Sequence, residues 1–140
     1  MPYEDEDPSF GRLEPDPEVD ALAREVIGAA IEVHRRLGPG LDELLYQNAL
    51  CVELRLRGIE FIKEAIIKVQ YKDEFIGERK LDLIVSGKLV VELKTVDQLS
   101  NLHKAQVLSY LKITGLKLGL LINFNVEALR HGIKRIIKPD

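Results

Sequence analysis

A single cysteine, Cys51, stands among the 140 residues, so no disulfide can close within the chain. No cluster of cysteine and histidine suggests a zinc site. No apolar run approaches the roughly 20 residues that span a bilayer. The opening Met1-Pro2-Tyr3-Glu4-Asp5 lacks the basic and then apolar pattern of a signal peptide. Neither internal repeats nor low-complexity segments break the chain. These absences lead to the expectation of a cytoplasmic protein with no membrane partner. Cys51 lies in an apolar helical stretch and is read as a small core residue. What is present is ordinary for a soluble fold: 46% hydrophobic and 31% charged residues, in a length with room for one domain.

The net charge of −3 argues against a nucleic-acid partner until its distribution is considered. Residues 1–20 hold eight acids and one base, Arg12, for −7, which leaves +4 on residues 21–140. The acidic stretch also carries Pro2, Pro8, Pro15 and Pro17, a composition that disfavours regular structure. Residues 1–18 are therefore expected to be a solubilising, flexible leader, and residues 19–140 the domain. A mildly basic domain does not exclude nucleic acid.

From Val19, apolar residues recur at three- and four-residue steps and predict a helix that ends at Leu37-Gly38-Pro39-Gly40. A second helix is expected from Asp42 to Arg57, so the pair forms a helical hairpin. Residues 59–95 are rich in Ile, Val, Tyr and Phe, with turns at Lys72-Asp73 and Ser86-Gly87. They predict strands over Ala65–Tyr71, Phe75–Val85 and Lys88–Thr95. Ser100-Asn101 caps a helix over Leu102–Thr114, stopped by Gly115. The apolar run Leu116–Asn123 suits a strand covered on both faces and reached by a helical crossover. A short helix over Val126–His131 and a strand over Ile133–Ile137 complete the order α, α, β, β, β, α, β, α, β. This describes one mixed sheet flanked by helices.

Three charges interrupt otherwise apolar strands. In Leu89-Val90-Val91-Glu92-Leu93-Lys94-Thr95, Val90, Glu92 and Lys94 share a face. Upstream, Asp82 sits among Leu81, Leu83 and Ile84. A two-residue turn at Ser86-Gly87 would put Asp82 and Glu92 on opposite faces. A three-residue loop, Ser86-Gly87-Lys88, would pair Asp82 with Glu92 and Ile84 with Val90. Two such carboxylates repel and are costly to bury without a cation between them. Hard oxygen ligands suit Mg²⁺ or Mn²⁺, which can polarise a phosphate oxygen, and Lys94 could then stabilise developing charge. The plainer reading is a solvated ion pair on a half-exposed hairpin. In the following helix Gln106 and Tyr110 lie four apart on one face. His34, His103 and His131 are read as incidental surface histidines, and Tyr46 and Tyr71 could equally serve packing.

Asp82 followed by Glu92-Leu93-Lys94 resembles the D…(D/E)xK core of the PD-(D/E)XK nuclease superfamily. Gln106-Val107-Leu108-Ser109-Tyr110 resembles the QxxxY motif of its RecB-like branch. Gly40-Leu41-Asp42-Glu43-Leu44-Leu45-Tyr46 is similar to the signature of the GxxExxY proteins, another branch. The resemblance covers roughly residues 20–138. It departs from the pattern at Leu81, where the superfamily has proline, a position that supplies no side-chain ligand.

The resemblance implies an α/β fold with a restriction-endonuclease-like mixed sheet, an αβββαβ core, preceded by the helical hairpin. It implies that Asp82, Glu92 and the Leu93 carbonyl hold Mg²⁺ or Mn²⁺, with Glu43 reaching the metal directly or through water. Lys94 would serve the nucleophile, while Gln106 and Tyr110 would position phosphate or the site. The function expected is a metal-dependent nuclease acting on DNA, assisted by a homodimer or a partner protein. The alternatives are a non-catalytic nucleic-acid- or partner-binding module on the same fold, and a structural protein whose charged strand face is only a salt-bridge cluster.

Overall fold

In the computed structural model, which describes residues 17–139, helix α1 (Pro17–Leu37) starts at a proline. Proline at a first helical position gives up only an N–H that would have no partner, and Glu18 and Asp20 follow where the helix dipole favours acid. Of the expected leader, Pro17 and Glu18 thus open α1; residues 1–16 lie outside the described residues. The corner at Gly38 (φ 68°) and Gly40 (φ 108°) uses left-handed backbone that favours glycine. Helix α2 (Glu43–Leu56) is capped by Asp42, whose Oδ1 accepts the Leu45 N–H at 3.1 Å.

Five strands form one sheet in sequence order: β1 (Phe61–Tyr71), β2 (Glu74–Val85), β3 (Leu89–Lys94), β4 (Leu118–Asn123) and β5 (Ile133–Ile137). Helix α3 (Asn101–Thr114) carries the chain from β3 to β4, and these two strands run parallel. The other neighbouring pairs are antiparallel. Strand β1 begins earlier than expected, at Phe61. Ser100 and His103 form a reciprocal capping box at the start of α3, so His103 is a cap. All six residues of β4 are buried, as its apolar run predicts. The short helix expected over Val126–His131 is instead a 3₁₀ turn, Leu129–Gly132. Gly132 lies so close to the Asn123 carbonyl that a Cβ would come within 2.2 Å of it, which ties this segment to β4.

The sheet separates two cores. One lies beneath α1 and α2 and includes Val26, Ala30, Leu50, Leu83, Leu93 and Phe124. The other lies beneath α3 and includes Ala65, Leu81, Val90, Val107 and Leu121. Cys51 is buried, as expected. His34 corrects the surface reading: it is 6% exposed, and its Nε2 lies 2.7 Å from the Val126 carbonyl. A carbonyl can only accept, so Nε2 carries the proton. The histidine lies beside the apolar stripe of α1 and serves a carbonyl in the irregular segment after β4.

The β1–β2 hairpin changes sides along its length. Lys63 pairs with Leu83 and Ala65 with Leu81. Leu83 belongs to the core under α1 and α2, whereas Leu81 and Ala65 belong to the core under α3. On a regular strand, residues two apart share a face. The hairpin therefore rolls over between these pairs, at Glu64 (φ 53°) and Asp82.

Candidate active site

The β2–β3 connection decides whether the acids meet. Leu83 pairs with Val91, Ile84 with Val90 and Val85 with Leu89, leaving Ser86, Gly87 and Lys88 as a three-residue loop. Ser86 (φ 51°) and Gly87 (φ 65°) both adopt left-handed backbone there. Asp82 and Glu92 consequently face each other one step beyond the last ladder pair. In place of ladder bonds, the Asp82 N–H donates to Glu92 Oε2 at 2.6 Å and the Leu93 N–H donates to Asp82 Oδ2 at 2.7 Å. Each carboxylate is thus fixed by the other strand's backbone.

Glu92 is buried, at 4% exposure, and Asp82 is half-buried beside it. Burial and the Asp82 charge push the Glu92 carboxyl up to about 8, against the pull of the Asp82 N–H and Lys94. Burial also raises Asp82, against the Leu93 N–H and Lys94, and a hydrogen bond links the two carboxyls. Lys94, half-buried, donates through Nζ to Gln106 Oε1 at 3.1 Å, so α3 holds the lysine in place. Beyond Lys94, buried Asn123 accepts the Val96 N–H at 3.0 Å and donates to the Val96 carbonyl at 2.8 Å, fastening the exit of β3.

Glu43 occupies the first position of α2, set there by the Asp42 cap. Burial and the Asp82 charge raise its carboxyl and Lys94 lowers it, so the glutamate lies within electrostatic reach of both. Tyr110, buried on α3, is raised by burial and by Glu92; it also hydrogen-bonds Gln106. Glu43, Asp82, Glu92, Lys94, Gln106 and Tyr110 are thus neighbours, drawn from α2, β2, β3 and α3. Tyr46 is not among them: its hydroxyl donates to the Gly38 carbonyl and accepts the Leu41 N–H, while its ring stacks on Phe124 at 4.5 Å. It anchors the corner that presents Glu43.

Three further residues border the site without having been singled out in the sequence. Glu64 occupies the slot opposite Asp82, adds to the push on its pKa, and accepts from buried Gln47 at 3.4 Å. Arg79 acts on Tyr110 from β2. No motif marks them, because their nearness depends on the roll of the hairpin.

Among the described residues, no three carboxylate, imidazole or thiol side chains converge as a ready-made metal cage. Mg²⁺ is commonly held by one or two carboxylates, with water and substrate phosphate completing its shell. Asp82 and Glu92 fit that partial, all-oxygen donor set. Both carboxyls hold their protons more tightly than usual, chiefly because burial disfavours their charged forms.

A family model described as the PD-(D/E)XK nuclease superfamily matches residues 20–136. A search of curated proteins finds no match. Among solved structures, one described as the crystal structure of SSO0001 is similar at 18% identity and a TM-score of 0.48, over 79% of this chain and 62% of that one.

Proposed function

This chain belongs to the PD-(D/E)XK nuclease superfamily, and we propose that it is a divalent-metal-dependent nuclease that hydrolyses phosphodiester bonds of DNA. Superfamily membership suggests nuclease-type function and nucleic-acid binding. The observation that carries the finer reading is the locked Asp82–Glu92 pair, with Glu92 buried, Asp82 half-buried and Lys94 two residues on. The spacings Gly40–Glu43–Tyr46 and Gln106–Tyr110 support a place in the GxxExxY branch with a RecB-like QxxxY motif. No helix among the described residues is long and apolar enough to cross a membrane.

In this reading Asp82, Glu92 and the Leu93 carbonyl hold Mg²⁺ or Mn²⁺, and Glu43 completes the acidic rim. The bound ion supplies Lewis acidity toward a phosphate oxygen and toward water. Lys94, oriented by Gln106, stabilises negative charge that develops on the phosphate and orients the attacking water. Tyr110 and Gln106 position the scissile phosphate from the α3 side.

The test is incubation with labelled single- and double-stranded DNA and RNA, in Mg²⁺, in Mn²⁺ and in chelator. Metal-dependent cleavage of DNA that disappears in Lys94→Ala is expected. Cleavage of RNA alone would overturn the substrate, and no cleavage of any strand in either metal would overturn the activity.

A further inference from the structure

Beside Tyr110, between the β1–β2 hairpin and α3, lies a cleft of about 250 Å³ lined by Val69, Ile76, Arg79, Ser109, Tyr110 and Ile113. Two of its apolar walls face solvent: Ile76 is 62% exposed and Ile113 39%. The cleft thus joins open aliphatic walls to the guanidinium of Arg79. The cleft is continuous with the site, because Tyr110 lines it and also hydrogen-bonds Gln106, which holds Lys94.

We propose that this cleft is a subsite for one unpaired nucleotide, its base between Ile76 and Ile113 and its phosphate on Arg79, which makes single-stranded nucleic acid the substrate class. The inference rests on the nuclease reading of the adjacent site. Size favours a base, since pockets for drug-sized ligands start near about 300 Å³ and this one is smaller. Chemistry favours a nucleotide: apolar walls accept the face of any base, the Ser109 hydroxyl can meet its edge, and the arginine fork matches a phosphate. A base within a duplex is stacked and paired, so it cannot enter such a slot without being extruded. The roll of the hairpin at Glu64 and Asp82 puts Ala65, Ile67 and Leu81 in the core under α3, and so brings β1 and β2 to this wall.

The experiment measures binding by fluorescence anisotropy in chelator, which makes it independent of turnover. The ligands are a labelled single strand, the matching duplex and an abasic strand of equal length. Wild type is expected to prefer the single strand to both other ligands by about tenfold or more. Ile76→Ser with Ile113→Ser should lose about tenfold on the intact strand and little on the abasic one. Arg79→Ala should weaken both single strands and flatten the logarithmic salt dependence by about 0.7. Equal binding of duplex and single strand, no binding at all, or wild-type affinity in these variants would overturn the subsite. If metal-dependent cleavage persists unchanged in the variants, the subsite fails and the nuclease reading stands. The expected binding pattern without cleavage in any metal would sink the nuclease reading alone.

Discussion

Replacing Glu92 with glutamine isolates the cost of burying this carboxyl beside Asp82. The Glu92 carboxyl rises from an ordinary 4.5 to about 8 in the folded protein, because burial and Asp82 oppose its charge. A raised acid binds a proton in the folded state that the unfolded chain has already released. Its stabilising contribution is complete below the unfolded value of 4.5 and is lost as pH rises through 8. Between these limits the metal-free protein should lose about 1.4 kcal/mol per pH unit from this group, or about 5 kcal/mol in all. Glutamine keeps an oxygen for the Asp82 N–H but carries no titrating proton, so it removes this slope. Urea unfolding in chelator at pH 5, 6.5 and 8 should show Glu92→Gln gaining on wild type, until at pH 8 it is about 4 kcal/mol more stable than its pH 5 difference implies. In melting temperature this amounts to roughly 10–15 °C. Divalent metal should stabilise wild type more at pH 8, where about half of the competing proton is gone, than at pH 5 or 6.5, and the variant little. A wild-type-minus-variant difference that stays flat from pH 5 to 8 would mean that Glu92 does not bind a proton more tightly in the folded protein.

Other consequences are as specific. Tyr46→Phe leaves the Gly38 carbonyl and the Leu41 N–H without the hydroxyl and should cost about 1–3 kcal/mol in urea unfolding; because the corner presents Glu43, cleavage should fall too. Gly119→Ala would set a Cβ 2.6 Å from Val107 Cγ1 and should destabilise by about 1–3 kcal/mol as α3 is pushed off β4. Gln106→Leu frees Lys94 and should lower kcat by roughly tenfold or more, with a smaller loss of oligonucleotide affinity in chelator.

Much of this architecture could be read from local pattern. The steps of Val26, Ala30 and Val33, the glycine corner, and the apolar run ending at Asn123 each declare one element without reference to the rest. The acid pair needed one more piece of reasoning, because strand parity made Asp82 and Glu92 meet only across a three-residue loop. The remainder depends on contacts distant in sequence. Nothing near Glu64 announces that its backbone turns left-handed; that follows from Leu83 and Leu81 joining cores on opposite sides of the sheet. Arg79 and Gln47 border the site only because of that roll. His34 looked like a surface residue because its carbonyl partner, Val126, lies 92 positions away.

Asp82 and Glu92 are proposed to form a divalent-metal site. Calorimetric titration of Mn²⁺ and Mg²⁺ into wild type and into Asp82→Asn with Glu92→Gln, at pH 8 and with a DNA oligonucleotide present, tests it most directly. The neutral pair keeps both backbone hydrogen bonds, so a folded control is expected. Wild type should bind metal, with proton release that grows as the pH is lowered below 8, and the double variant should bind none. Equal binding by both proteins, or none by wild type, would contradict the account.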